Sequence, residues 1–324
     1  SCRRRTPGHS APRGEGTQNP IAKDDSTVEI TGRAGSTSER LIEVVLAFCG
    51  ICSIAVTLGI LWTLGSETVA FFGEVPLRDF FGATEWAPLA NEPRYGIWPL
   101  LAGTLLTSTI ALLVAIPIGL GAAIYLSEYA TFRQRRILKP ALEVLAGIPT
   151  IVYGFFALVV LTPVLQVVLP GLETFNGLSA GLVMGFMIIP MVSSLSEDSL
   201  FAIPQTLREA SYGLGASKTT TICRVVLPSA RSGILAALLL SLGRALGETM
   251  IVTIAAGHSP NLGLNLMDSM QTMTAFIVQI SMGDMATDSA EYRTIFAVAA
   301  TLFGFTFLIN LFSQTLMNRR RFPR

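Results

Sequence analysis

Two ionisable residues four positions apart, Arg244 and Glu248, stand inside the long apolar run Gly233–Ala256 of this 324-residue chain. A charge near the middle of a bilayer costs about 2.5–3.5 kcal/mol on the insertion scale, so such a pair marks a functional site by default. Residues i and i+4 share a helix face, and the spacing predicts that Arg244 and Glu248 pair on one helix. A guanidinium offers a planar fork of donors that matches phosphate-like oxygens bidentately. Glu248 would hold that fork, keep it from trapping an anion, and accept a hydrogen bond from a protonated oxyanion. Thr249 follows directly and joins the candidate substrate route. In the plainer reading the two charges only neutralise each other and set helix register. Gly243 and Gly247 form a G-x-x-x-G stripe about 100° round the helix, where a second helix can approach closely.

A second constellation lies in the polar segment 196–232. Pro204 stands where a helix can begin, Leu207 to Leu214 forms two helical turns, and Gly213 and Gly215 end them. Glu209, Ala210 and Ser211 lie on this helix, and Val225-Val226-Leu227-Pro228 returns the chain to an apolar run. A short helix ended by glycine has the shape of a docking element; an ordinary loop helix is the alternative. Within it, Gly213 to Thr219 reads GLGASKT, but a phosphate-binding loop needs Gly immediately before its Lys-Ser/Thr pair, and Ser217 stands there. The chain therefore carries no recognisable nucleotide site. Cys49 and Cys52 are a C-x-x-C pair inside an apolar run, where thiolates are disfavoured, and are read as packing residues. His9 and His258 are isolated, so neither a metal site nor a cofactor is expected.

The elements that position these residues are legible from composition. Half the residues, 51%, are hydrophobic and 14% are charged, against about 25% charged in a soluble domain. Six apolar runs approach or exceed the roughly 20 residues needed to cross hydrocarbon: Leu41–Leu64, Trp98–Leu126, Ala141–Leu169, Leu178–Leu195, Gly233–Ala256 and Ile295–Met317. Glu43, Glu143, Arg244 and Glu248 are the charges inside them. Segments 1–40, 127–140, 196–232 and 318–324 hold nineteen of the 23 basic residues, whereas 65–97, 170–177 and 257–294 hold Arg78, Arg94 and Arg293. Basic loops face the cytoplasm, so both termini are expected there. The near balance of 23 basic and 22 acidic residues argues against general nucleic-acid binding.

Segment 1–40, rich in Ser, Thr, Gly, Pro and Arg, is expected to be a disordered cytoplasmic tail, and 318–324 a basic cytoplasmic end. Pro117, Pro149 and Pro163 break spans that should pack inside a bundle. Phe71, Phe72, Phe80, Phe81, Trp86 and Trp98 suit the headgroup region and are expected to anchor an interfacial helix. Met267, Met270, Met273, Phe276, Ile277 and Ile280 predict an amphipathic helix lying on or dipping into the outer face.

Glu209-Ala210-Ser211, three residues, Gly215, nine residues and Val225-Val226-Leu227-Pro228 resemble the EAA loop of ABC importer permeases, with Ser211 and Val225 replacing the usual alanine and isoleucine. The resemblance implies an all-α polytopic fold of type I, MetI-like, with six transmembrane helices and both termini cytoplasmic. It also implies that the loop helix inserts into a groove on a cytoplasmic ATPase. Gly243 to Met250, Leu145 to Gly154 and Ser194 to Asp198 are similar to the phosphate-specific ABC permeases, and GRALGETM to their PstC type. This likeness covers about 41–317. It implies a bacterial inner-membrane subunit that is not itself an enzyme. Its implied partners are a PstA-type permease, two PstB-type ATPase subunits that bind ATP and Mg, and a PstS-type phosphate-binding protein received by 65–97 and 257–294. Sulfate and molybdate permeases share the Arg-Ala-x-Gly-Glu core and stand as rivals. A secondary transporter should show inverted repeats, and none is visible. A phosphate-sensing signalling component is the third alternative.

Overall fold

The structure, a computed structural model, describes residues 37–283 and 289–319. Two compact units divide the chain, one ending at Val56 and the other beginning at Thr57. Among the described residues six helices are long and apolar enough to cross a membrane: Glu39–Glu74, Trp98–Tyr129, Thr150–Val168, Gly177–Phe201, Lys218–Leu246 and Ala290–Thr315. The six-span all-α architecture read from hydropathy is thus the one observed.

The described part of the first unit is the start of helix α1 (Thr37–Glu74), on which Leu41, Leu46, Phe48, Ile51 and Ile54 are all exposed. Cys49 and Cys52, read as packing residues and not as a redox or metal pair, are free and exposed there. Thr37 to Arg40 are already helical, so the helix starts inside the stretch read as a tail. Residues 1–36, with His9, and 320–324 of the basic end lie outside the described residues.

The second unit is built on α3 (Trp98–Ile124, continued by a π turn to Tyr129) and α7 (Gly177–Phe201), packed along their length. Apolar attraction between helices vanishes in lipid, so close contact depends on small residues. A Cβ at Gly181 would fall 2.7 Å from that of Ile110, and one at Gly185 2.9 Å from the Ala111 carbonyl oxygen. Thr104 and Thr107 return their hydroxyls to Leu100 and Gly103 carbonyls of their own helix, at 2.8 Å each, which lets polar side chains sit in this dry seam.

Two apolar runs are not single helices. The run Ala141–Leu169 is interrupted: α4 (Phe132–Ala146) stops before Gly147, and α5 (Thr150–Phe156) starts after Pro149. Proline removes a donor and disfavours helical geometry at the preceding Ile148, which here follows the Gly147 cap. Glu143 therefore belongs to α4 and not to a span. A capping box opens α4, with the Gln134 N–H on Thr131 Oγ1 and the Thr131 N–H on Gln134 Oε1. α5 continues through a π turn, Ala157–Leu161, into α6 (Thr162–Val168).

The segment 196–232 is likewise shorter as a loop than expected. Its first residues complete α7, α8 spans Gln205–Gly213, and α9 (Lys218–Thr221) runs through a π turn, Ile222–Val226, into α10 (Leu227–Leu246). Leu227 and Pro228 therefore lie on the spanning helix. Leu227 packs beside Leu200, Val226 and Ala230.

At the other end of the bundle, Phe71, Phe80 and Trp86 are buried rather than interfacial, joined edge to face with Phe276 and Tyr95. The short helix α2 (Leu77–Gly82) and the two-residue strands β1 (Trp86–Ala87) and β2 (Arg94–Tyr95) hold them in place. Phe81 and Trp98 remain exposed. Arg293 near the start of α13 (Ala290–Arg319) binds Glu67 and Glu74. The methionine-rich segment is also no surface helix. Met267 to Thr272 is irregular, α12 covers Met273–Ser281, and Met270, Met273, Phe276 and Ile280 are core residues.

Gly185→Leu is expected to lower unfolding stability by about 1–3 kcal/mol through overpacking of the α3–α7 seam. The thermal midpoint in detergent should fall, whereas Gly121→Ala, with open space at its Cβ, should leave it near the parent value.

Candidate functional site

The predicted continuous helix breaks at the candidate residues themselves. α10 ends at Leu246, Gly247 caps it, and α11 (Met250–Ala255) starts after two further residues, Glu248 and Thr249. Arg244 and Glu248 therefore do not share one helix. They still meet, with Arg244 Nη2 3.7 Å from Glu248 Oε2. The break reassigns Glu248: its Oε1 accepts the N–H groups of Met250 at 3.2 Å and Ile251 at 3.4 Å, capping α11. A carboxylate facing free N–H groups at a helix start is favoured by both hydrogen bonding and the helix dipole. Thr274 Oγ1 donates to the Glu248 carbonyl at 2.6 Å, so the start of α12 fixes the break from a second side.

Exposure separates the two charges. The Glu248 side chain is 3% exposed and the Arg244 side chain 49%. The acid is consumed by structure, whereas the guanidinium keeps donors free. Thr249 is partly buried, its hydroxyl 3.3 Å from the Gly247 carbonyl oxygen. Gly243 and Gly247 are exposed, and a Cβ on Gly243 would meet nothing within 4 Å. Among the described residues no helix uses the expected glycine stripe.

Arg244 lines a cavity of about 430 Å³ with Met187, Pro190, Met191 and Ser194 of α7, Lys139 and Glu143 of α4, and Ile148 and Thr150 at the α4–α5 break. Glu197, fully buried, also reaches this cavity and pairs with Arg135 and with Lys139 at 3.1 Å. Burial pushes the Lys139 pKa down, but the hydrogen bond and charge of Glu197, with Asp198 beside it, outweigh burial and raise it above the ordinary lysine value. Lys139 is thus an ammonium at neutral pH. The cavity holds fixed cations at Arg244 and Lys139, each set against a buried acid.

The second constellation is built as the sequence reading expected. Pro204 precedes α8, and Gly215, at φ +84°, follows it. The N–H of Gly215 binds the Tyr212 carbonyl at 2.9 Å and that of Ala216 the Ser211 carbonyl at 3.2 Å, the Schellman closure that a left-handed glycine permits. Glu209 and Ala210 face outward, Ser211 inward onto the Thr221 hydroxyl at 2.9 Å. Leu207, Tyr212 and Leu214 add exposed apolar surface, Leu214 at 90%.

Residues 115–322 match the family described as binding-protein-dependent transport system inner membrane component. The phosphate transport system permease protein PstC of Xylella fastidiosa (strain 9a5c) is 34% identical over 306 residues, 89% of this chain and 90% of the relative. The chain belongs to the PstC-type permeases of binding-protein-dependent transport systems. The probable ABC transporter permease protein YqgH of Bacillus subtilis (strain 168) is 31% identical over 302 residues, 88% of this chain and 97% of that relative. Among solved structures, a bacterial ABC transporter involved in import of the acidic polysaccharide alginate aligns with TM-score 0.57 at 16% identity, over 88% of this chain and 100% of that one. The MetNI methionine ABC transporter in an inward-facing conformation aligns at 0.51 and 19%, over 69% and 94%. At these identities the likeness is one of fold.

Within this permease, several site residues were not visible in sequence. Glu197, Arg135, Lys139 and Thr274 make contacts across elements, for which no local pattern exists. The capping box at Thr131 and Gln134 marks in sequence where α4 begins, and Pro149 the break that ends it. Glu248→Ala is expected to cost about 1–3 kcal/mol by orphaning two helix donors, lowering the thermal midpoint in detergent. Arg244→Gln, changing a half-exposed group, should move that midpoint far less.

Proposed function

We propose that this permease forms one transmembrane half of an ATP-driven phosphate importer in a bacterial inner membrane. The observation that carries the reading is the half-exposed Arg244 guanidinium on a cavity wall beside a helix break. A pore for a divalent oxyanion needs a fixed cation that binds without trapping. Arg244 has a fork of donors, and the nearby Glu248 carboxylate, held by α11, weakens its hold on an anion. Thr249 stands at the same break. The relatives whose names specify phosphate transport favour phosphate over sulfate or molybdate, which the same arginine would also suit.

In this reading Glu209, Ala210, Ser211 and Gly215 belong to the element that docks on the ATPase, while Leu227 and Pro228 lie on the spanning helix that carries its motion inward. The basic loops and both termini lie in the cytoplasm. The chain itself binds no cofactor; ATP and Mg belong to two PstB-type subunits. A PstA-type permease completes the pore and covers the exposed Gly243 and Gly247. The PstS-type binding protein docks on the opposite side, over 65–97 and 257–294.

Arg244→Gln is expected to reduce uptake of labelled phosphate by about two orders of magnitude while the complex still assembles; normal uptake would leave the pair purely structural. Competition decides the substrate: unlabelled phosphate and arsenate should suppress uptake and sulfate should not. Gly215→Val places a β-branched residue at φ +84°, a cost of about 1–2 kcal/mol with open space around it. It should lower recovery of the ATPase in co-purification without unfolding the membrane domain.

A further inference from the structure

Arg208, on the inward face of α8, is almost completely buried. Its Nη1 donates to the Ile203 carbonyl at 2.6 Å, and its Nη2 to the Leu200 carbonyl at 2.9 Å and to Glu128 Oε1 at 2.8 Å. Leu200 is in the last turn of α7, and Glu128 in the π turn that ends α3. The Glu128 carboxylate is itself buried and receives the Ser127 hydroxyl at 3.3 Å. One planar guanidinium therefore satisfies acceptors on two spanning helices, a task that needs its fork of donors. Lys218 adds a contact over the Tyr129 ring at 4.6 Å.

These contacts differ in what they add. α8 follows α7 directly in the chain, so any displacement of α8 already pulls on α7. α3 ends 80 residues earlier and has no short covalent route to α8; the Arg208–Glu128 pair supplies one. A buried ion pair is weak evidence for stability, and its best-attested use is to fix the register of elements. α7 lines the cavity that holds Arg244, and α3 is its closely packed neighbour.

We propose that Arg208 and Glu128 are positioning residues that lock the docking helix to the ends of α3 and α7, so that all three move as one body when the ATPase displaces α8. This rests on the docking assignment above. The pair converts a local push into a joint movement of the α3–α7 seam, and through it of the cavity wall.

The test uses the reconstituted complex with its ATPase, second permease and binding protein. Arg208→Gln and Glu128→Gln are expected to retain the ATPase at the parent ratio and to hydrolyse ATP, while labelled inorganic phosphate taken up per ATP falls about tenfold. Spin labels at positions 125 and 214, in a background with the four cysteines replaced, should keep one separation in nucleotide-free and ATP-trapped states of the parent. In the variants that separation should change between states. Parent-like uptake per ATP in both variants, or a parent separation that changes between states, overturns the proposal. Loss of the ATPase from the variants alone also overturns it, because Arg208 would then serve docking itself. If the parent permease fails to retain the ATPase, the docking assignment falls, and this proposal with it. Should a single variant misfold, Arg208→Met with Glu128→Leu removes both charges without orphaning either. It is expected to uncouple in the same way, and normal coupling in it counts against the proposal.

Discussion

The Glu248 carboxylate sits at 3% exposure in a segment whose neighbours are almost all apolar, and an ion there must be satisfied by protein. A continuous helix would consume the N–H groups of Met250 and Ile251 in its own ladder. By ending α10 at Leu246 the chain leaves those donors free, and Glu248 takes them. The other features of the site follow from this exchange. The break leaves Arg244 on the last turn of a terminated helix, close to its acid but not locked to it. It also creates an unpaired carbonyl at Glu248 that only a donor from elsewhere can satisfy, and Thr274 provides it.

The same rule, that polar groups in the bundle must find partners within the protein, explains how the remaining elements are joined. Glu197 is buried in α7 and draws Arg135 and Lys139 of α4 onto it. Arg208 is buried in α8 and draws the ends of α3 and α7 together. Between these charged fastenings the contact surfaces are smooth. Gly119, Gly181 and Gly185 let α3 and α7 approach until a methyl group would collide. Tight seams with charged joints at their ends bind the helices into blocks, because packed surfaces resist continuous deformation.

Hydropathy located all six spans because hydrocarbon thickness sets their length, whatever the tertiary contacts. It ran through the breaks at Gly147–Pro149 and Gly247–Thr249, of which only the first had a sign in Pro149, since a window average cannot register a backbone that stops being helical inside an apolar run. The i, i+3 spacing likewise put Met270, Met273 and Phe276 on a helix lying on or dipping into the outer face, whereas they are buried in the core. An apolar side chain has the same transfer preference for lipid as for a protein interior, and only packing decides between them. The terminus of α8 was legible down to Gly215, because a left-handed closure is a local event encoded by one residue.

The sequence by itself determined the number and approximate place of the spans, the closeness of an arginine and a glutamate inside one apolar run, and the glycine-ended helix of the EAA-like segment. Each of these depends on residues near one another in the chain. Tertiary structure alone decided that Glu248 caps a new helix while Arg244 stays open to a cavity. It alone decided that Arg208 reaches Glu128 across 80 residues, and that Glu197 collects two cations from another helix. Those outcomes depend on which distant groups remain unpaired once the helices are packed, and no spacing along the chain records that.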